Sequence, residues 1–325
     1  ATGYDLTVTG GAMSVANVAL NTGNELTLVS ENSSITGTGT LNAPAGAVTL
    51  QADDLVLDTA TITTGAGAGS VKFLANAGRN IGLDAASDFS LSNTELDAAT
   101  TASLEVRSLD TTGGGDVTVG VIAPANITDL AIVTSGRIDE FAADNTVKIT
   151  LVDGMGTLTL DTGEGIGAAG TDDGTGVAPL DIDARTLAAS VSGAGGVFVK
   201  GTGDLTVADA TTADGKISIR NTGTLTVQGA TAAEAMPTGR TLELVSGSTM
   251  LSTGTVTANG SAHFETTGAD RTITIPDANV ASATGSTVTI KTNGSAADAT
   301  FVNAGGVELS GVDVGGALSL TAGGA

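Results

Sequence analysis

His263 is the only histidine in the chain of 325 residues, and it lies in "SAHFET". With one imidazole and no cysteine, the chain lacks the material for a multi-histidine metal centre, a thiolate nucleophile or a disulfide. Because His263 alternates with Ala262 and Phe264, it is expected to point outward from a strand. Carboxylates are more plentiful, and they pair closely at Asp53-Asp54, Asp172-Asp173 and Asp181 with Asp183. Two carboxylates can hydrolyse a glycosidic bond, one as acid and the other as base or nucleophile. Against that chemistry, the chain has one Tyr and no Trp to stack on a sugar, and its 12 Lys and Arg are scattered along the sequence. No catalytic or cofactor-binding residue is assigned, and the chain is read as not an enzyme. A polysaccharide-active β-helix enzyme is the alternative.

The glycine-rich stretches do not change this reading. "GAGAGS" at 65–70 and "GTGD" at 201–204 have the glycines of a phosphate loop, but no helix follows them and no Gly-Lys-Ser/Thr is present. Turn glycines explain them. No cofactor is expected; calcium is the one cation the acidic loops could attract, at "GTDDGTG" (170–176) or "GGGD" (113–116). The tandem Gly-Gly-x-Gly-x-Asp array that would make such a site regular is absent.

The elements that would have to position these residues are short strands. "DLTV" at 5–8, "ELTL" at 25–28, "AVTL" at 47–50, "SLEV" at 103–106, "TLTL" at 157–160, "KISI" at 216–219 and "TVTI" at 287–290 alternate apolar and polar residues between Gly, Asn and Asp. No long amphipathic helix is visible. The best helical turn is "SNTELDAA", where Ser92 and Glu95 have capping-box spacing and Leu96 supplies the apolar contact. Only 2% of the residues are aromatic, so the core must be Val, Leu, Ile and Ala; 47 glycines call for turns at short intervals. The net charge of −23 argues against nucleic acid and an anionic membrane surface as partners, and no segment is apolar enough to insert in a bilayer.

Repeats set the architecture. Val197, Val199, Gly203, Leu205 and Val207 recur about twenty residues on as Ile217, Ile219, Gly223, Leu225 and Val227. That interval is one coil of a β-solenoid, in which each strand pairs with its equivalent on the next coil. A longer repeat is superimposed: "DLTV" at 5–8 returns at 204–207, and Pro44, Leu50, Ile62 and Phe73 align with Pro237, Leu244, Val256 and Phe264. The chain is therefore expected to be one continuous solenoid over 1–325, with a long repeat over 1–199 and a partial second copy over 200–325. Leu6, Val8, Leu26, Leu28, Val48, Leu50, Leu205, Val207, Leu225 and Val227 should point inward. The last residues, "ALSLTAGGA", show no polar cap, so the expectation is a slice of a longer fibrous chain, or copies that join end to end. The Thr-x-Thr triplets that an ice-binding solenoid would present in one row start at irregular intervals here, and β-propensity accounts for them.

"GTLNAPAGAVTLQADDLVLDTATITTGAGAGSVKFLANAGRNIGLD", from Gly39 to Asp84, resembles large bacterial haemagglutinin-like exoproteins of the filamentous haemagglutinin type, and "LSNTELD" continues in the same style. The resemblance implies a right-handed parallel β-helix, secretion from a Gram-negative cell, and a role as the shaft of a surface adhesin. The Asn-Pro-Asn motifs of that family's secretion domain are absent, which places these residues downstream of it, and no Arg-Gly-Asp attachment motif occurs.

The combined reading is an all-β, right-handed parallel β-helix (β-solenoid) of about sixteen coils with about 20 residues per coil. Its expected work is that of an extended rod outside the cell, for adhesion, matrix or filament formation. Its expected partners are neighbouring solenoid segments or copies, end to end, and host or neighbouring-cell surfaces or glycans. Any adhesive surface is expected in the less repetitive loops 123–145 or 165–180.

Overall fold

The computed structural model describes residues 4–111, 114–142, 146–152, 155–169, 178–235, 240–281 and 286–323. It is a parallel β-solenoid with about 13 turns set about 23 residues apart. Among the described residues, strands pair in parallel with strands one coil away, not as antiparallel hairpins. The coils divide into two compact units, one built from the residues up to Ala142 together with Thr146–Gly163, the other from Glu164 onward.

In the first unit, one stack runs through Leu6–Gly10, Leu26–Ser30, Ala47–Ala52, Thr61–Ala75, Ala99–Ser108, Ile127–Thr134 and Thr157–Thr162. Its register places Leu26 on Val48, Val48 on Val71, Val71 on Leu104 and Leu104 on Leu130. A small second stack joins Met13–Val15, Ser34–Gly37 and Asp54–Val56. In the second unit, Thr186–Val191, Leu205–Thr212, Leu225–Val227, Met250–Ser252, Ile273–Val280 and Ala299–Asn303 form one stack. Val197–Gly201, Ile217–Asn221, Arg240–Ser246, Ser261–Ala269 and Val288–Asn293 form the other.

The offset of twenty read from the sequence is the physical register. Val197 lies on Ile217, Val199 on Ile219, Leu205 on Leu225 and Val207 on Val227. The next coil is longer, placing Ile217 on Leu242 and Leu225 on Met250. Coils of unequal length explain why about 13 turns replace the sixteen expected: connections and bulges add residues while the strands hold register. Leu50 stacks on Phe73 in the first unit and Leu244 on Phe264 in the second, both phenylalanines fully buried.

Leu26, Leu28, Val48, Leu50, Leu205, Val207, Leu225 and Val227 are buried, as their alternation requires. Leu6 and Val8 are not: they are 39% and 41% exposed. Their register is correct, Leu6 on Leu26 and Val8 on Leu28, but no described coil covers their other side. Strand alternation fixes direction; burial requires a neighbour on both sides.

The helical turn forms where Ser92 and Glu95 place it, over Asn93–Asp97, with both capping-box hydrogen bonds present. Glu95 also accepts from the Leu57 amide at 3.2 Å, tying the turn to an earlier coil.

Much of the acidic composition works at the turns. Asp5 Oδ1 accepts the Glu25 amide (2.8 Å), Asp97 that of Ala125 (2.7 Å), Asp204 that of Thr224 (2.8 Å) and Asp298 that of Ala317 (2.7 Å). Each carboxylate thus satisfies a backbone donor one coil onward that no strand ladder reaches. Glycine serves the same closeness. Gly203 adopts φ +76°, and a Cβ on Gly223 would collide with the Gly203 carbonyl as the turns stack.

Candidate functional site

Residues outside the solenoid core converge on the outward side of the second unit. Register aligns Phe198, Ser218, Glu243, His263 and Thr289, one per coil. The neighbouring outward row carries Asp181, Lys200, Arg220, Val245, Glu265 and Lys291. Beside these rows lies a cavity of about 190 Å³, lined by Phe198, Lys216, Ser218, Arg220, Arg240 and Glu243, with Ala169 and Pro179 at its border.

Glu243 organises the polar wall. Its Oε2 accepts from Ser218 Oγ at 2.8 Å and from Arg220 Nη2 at 3.0 Å, and its Oε1 accepts from Arg240 Nη1 at 2.8 Å. Burial alone would raise its pKa; the Ser218 hydroxyl and the two guanidinium groups outweigh burial and hold the carboxyl below the usual glutamate range. Glu243 is therefore a fixed anion at neutral pH. Both arginines remain about half exposed, at 55% for Arg220 and 52% for Arg240. Phe198 supplies the apolar wall. A Cβ on Gly196 would meet its ring edge, so the glycine lets the ring lie against the backbone.

His263 occupies the next position along the Glu243 row. Its direction is outward, as the alternation says, yet it is only 1% exposed because Glu243 and Thr289 stack on its two sides. Nε2 donates to Glu265 Oε2 at 2.8 Å, and Nδ1 is buried without a hydrogen-bond partner. The carboxylate requires the proton on Nε2, which leaves Nδ1 as a bare lone pair. Burial pushes the imidazole pKa below its usual range, and the bond to Glu265 opposes this only in part. His263 is therefore neutral at pH 7.

Asp53, Asp54 and Asp181, described members of the carboxylate pairs, have separate partners. Asp53 binds Asn76 (2.9 Å) and Arg79 (2.7 Å), whereas Asp54 accepts the Ser90 amide at 3.2 Å. The Asn76 hydrogen bond lowers the Asp53 pKa against a smaller effect of burial, and Arg79 lowers it further. Asp181 is buried with Lys200 Nζ at 3.6 Å, and Asp183 does not line the cavity. Asp172-Asp173 and the "GTDDGTG" loop lie outside the described residues. Of the other calcium candidate, Asp116 is described, and its Oδ1 accepts the Arg137 amide at 2.9 Å, a turn clamp like those above. No cluster of three or more potential metal ligands occurs among the described residues. No helix among them is long and apolar enough to cross a membrane.

Residues of the loops 123–145 and 165–180 contribute to the lining of two concavities. Ala169 and Pro179 flank the cationic one; in the first unit, Ala123, Pro124, Ala125, Thr150, Leu151 and Val152 line a more open apolar one of about 290 Å³. Sequence reasoning treated the basic residues as scattered and missed their convergence. The interval of twenty gave no signal, because in this longer coil the register places Arg220 on Val245, and Arg240 reaches Glu243 from the start of its own strand.

No family profile, curated protein or solved structure matches this chain.

Proposed function

We propose that this chain is a structural shaft segment of a large secreted or cell-surface bacterial adhesin or fibre, an extended rod that displays or connects other parts. The observation that carries the reading is coil-on-coil register: Leu205 on Leu225 on Met250 on Ile273 on Ala299, one interior column shared by successive coils. Such an interior has no centre to close around, so length can grow one coil at a time. The style of residues 39–84 supports placing the shaft among haemagglutinin-like exoproteins of Gram-negative bacteria. Neighbouring segments or copies, stacked end to end, are its nearest partners in this reading.

The non-catalytic part of the proposal is supported by the occupation of the carboxylates. Asp53, Asp54, Asp181 and Glu243 are each engaged by amides, amines or guanidinium groups, and Glu243 is held ionised, which unsuits it as a general acid. Electron microscopy of the native material tests the shaft: thin, elongated particles are expected, and compact globular particles would overturn it. Incubation with acidic and neutral polysaccharides is expected to give no new reducing ends; turnover would favour the enzyme reading.

A further inference from the structure

We propose that the Phe198–Arg220–Arg240 cavity of the second unit binds a sugar carboxylate, a single uronate-type residue seated with its carboxylate on the guanidinium groups and its ring on Phe198. The proposal needs only the geometry of these coils and not the shaft reading, so either can fail without the other.

Charge selects the ligand class. Among the described residues, Arg220 and Arg240 share one partner carboxylate, Glu243, so two guanidinium groups face one anion there and leave one positive charge over. This surplus lies on a protein of net charge −23, where a dianion such as a phosphate ester meets stronger long-range repulsion than a monoanion. Each guanidinium has five N–H donors in a planar fork, and one N–H of each is used on Glu243 at the distances above. The bond to Glu243 fixes both forks before any ligand arrives, which lowers the ordering cost of binding. Ser218 donates to Glu243, so the cavity offers cations more than neutral hydroxyl donors.

The lining also has an apolar part. Phe198 is the phenylalanine of the cavity lining, whereas Phe73, Phe89, Phe264 and Phe301 are fully buried in the core. With Pro179, also in the lining, it offers apolar surface of the kind that the C–H side of a pyranose packs against. A free small carboxylate such as acetate could use the arginines but not this apolar surface. The combination, with about 190 Å³ of room, matches one sugar ring bearing one carboxylate.

Calorimetric or NMR titration of the chain with sodium glucuronate tests this, with glucose, acetate and sulfate as separate arms. Saturable binding of glucuronate is expected, with each of the other three at least about tenfold weaker, the loss that follows from removing one charged hydrogen bond or the ring contact. Arg240→Gln is expected to weaken glucuronate by about tenfold and to leave the circular dichroism unchanged. Phe198→Ala should weaken glucuronate while leaving acetate unaffected, and it keeps the test open if the arginine variant fails to fold. Absence of saturable glucuronate binding, equal binding of glucose, acetate or sulfate, or full binding by a folded Arg240→Gln chain would each overturn the proposal.

Discussion

The two sides of the strand Ser261–Ala269 obey different rules. On the inward side, Phe264 lies between Leu244 and Ile290 in the register and meets Phe301 across the core, ring centroids 5.5 Å apart and planes at 47°. On the outward side, one residue away, His263 lies between Glu243 and Thr289. The spacing of the coils is the same for both. The inward column admits apolar side chains because every position is closed on all sides; the outward row accepts Phe, Ser, Glu, His and Thr in succession. Stability is therefore concentrated inside, and chemical variety is carried outside at small cost to the fold.

Exchanging the same residue type on the two sides gives the sharpest comparison. Phe264→Ala should lose about 3–5 kcal/mol in denaturant unfolding, the usual cost of emptying a packed aromatic site. Phe198→Ala, on the half-buried outward row, should lose less than about 1 kcal/mol. Equal losses would erase the distinction. A turn carboxylate should fall between these two results: Asp204→Ala, which strands the Thr224 amide, should cost about 1 kcal/mol, and Asp204→Asn should restore most of it because its carbonyl still accepts. If Asn and Ala variants melt alike, the turn bond does not hold the coils.

The smallest expected effect is the pH response of His263. The unfolded chain takes up a proton near the ordinary imidazole value of 6.5, while the buried ring resists it to lower pH. Protons therefore favour the unfolded chain in that window, so stability should be flat above pH 6.5 and decline as pH falls toward the folded pKa. Glu243, with its lowered pKa, adds a further decline only below its unfolded value near 4.5. Unfolding midpoints across this range, compared with His263→Gln, should show the first decline vanish in the variant. An unchanged profile would mean that the imidazole is freely protonated in the folded chain.

The architecture was legible because a solenoid writes its contacts into sequence spacing. Leu205 and Leu225 touch because they are one coil apart, and the Ser92–Glu95 box was local enough to read directly. The coil length was less legible. A bulged strand such as Ala99–Ser108, with register shifts at Thr100/Thr101 and Thr101/Ser103, consumes residues without altering the apolar alternation. The cavity was hidden for a related reason. Lys216 precedes and Arg220 lies within one strand, and Arg240 opens the next coil's strand, so their proximity depends on loop lengths that no local pattern fixes. The burial of His263 depends on what stands one coil before and after it, information absent from "SAHFET".

The superposition of Leu205 on Leu225 and Val207 on Val227 has a consequence for how such a gene can change. Excising or doubling a stretch equal to one winding returns these strands to an equivalent partner, so recombination between such segments changes the number of windings without inventing a new interior. The number of windings can thus change separately from the side chains that the outer rows carry.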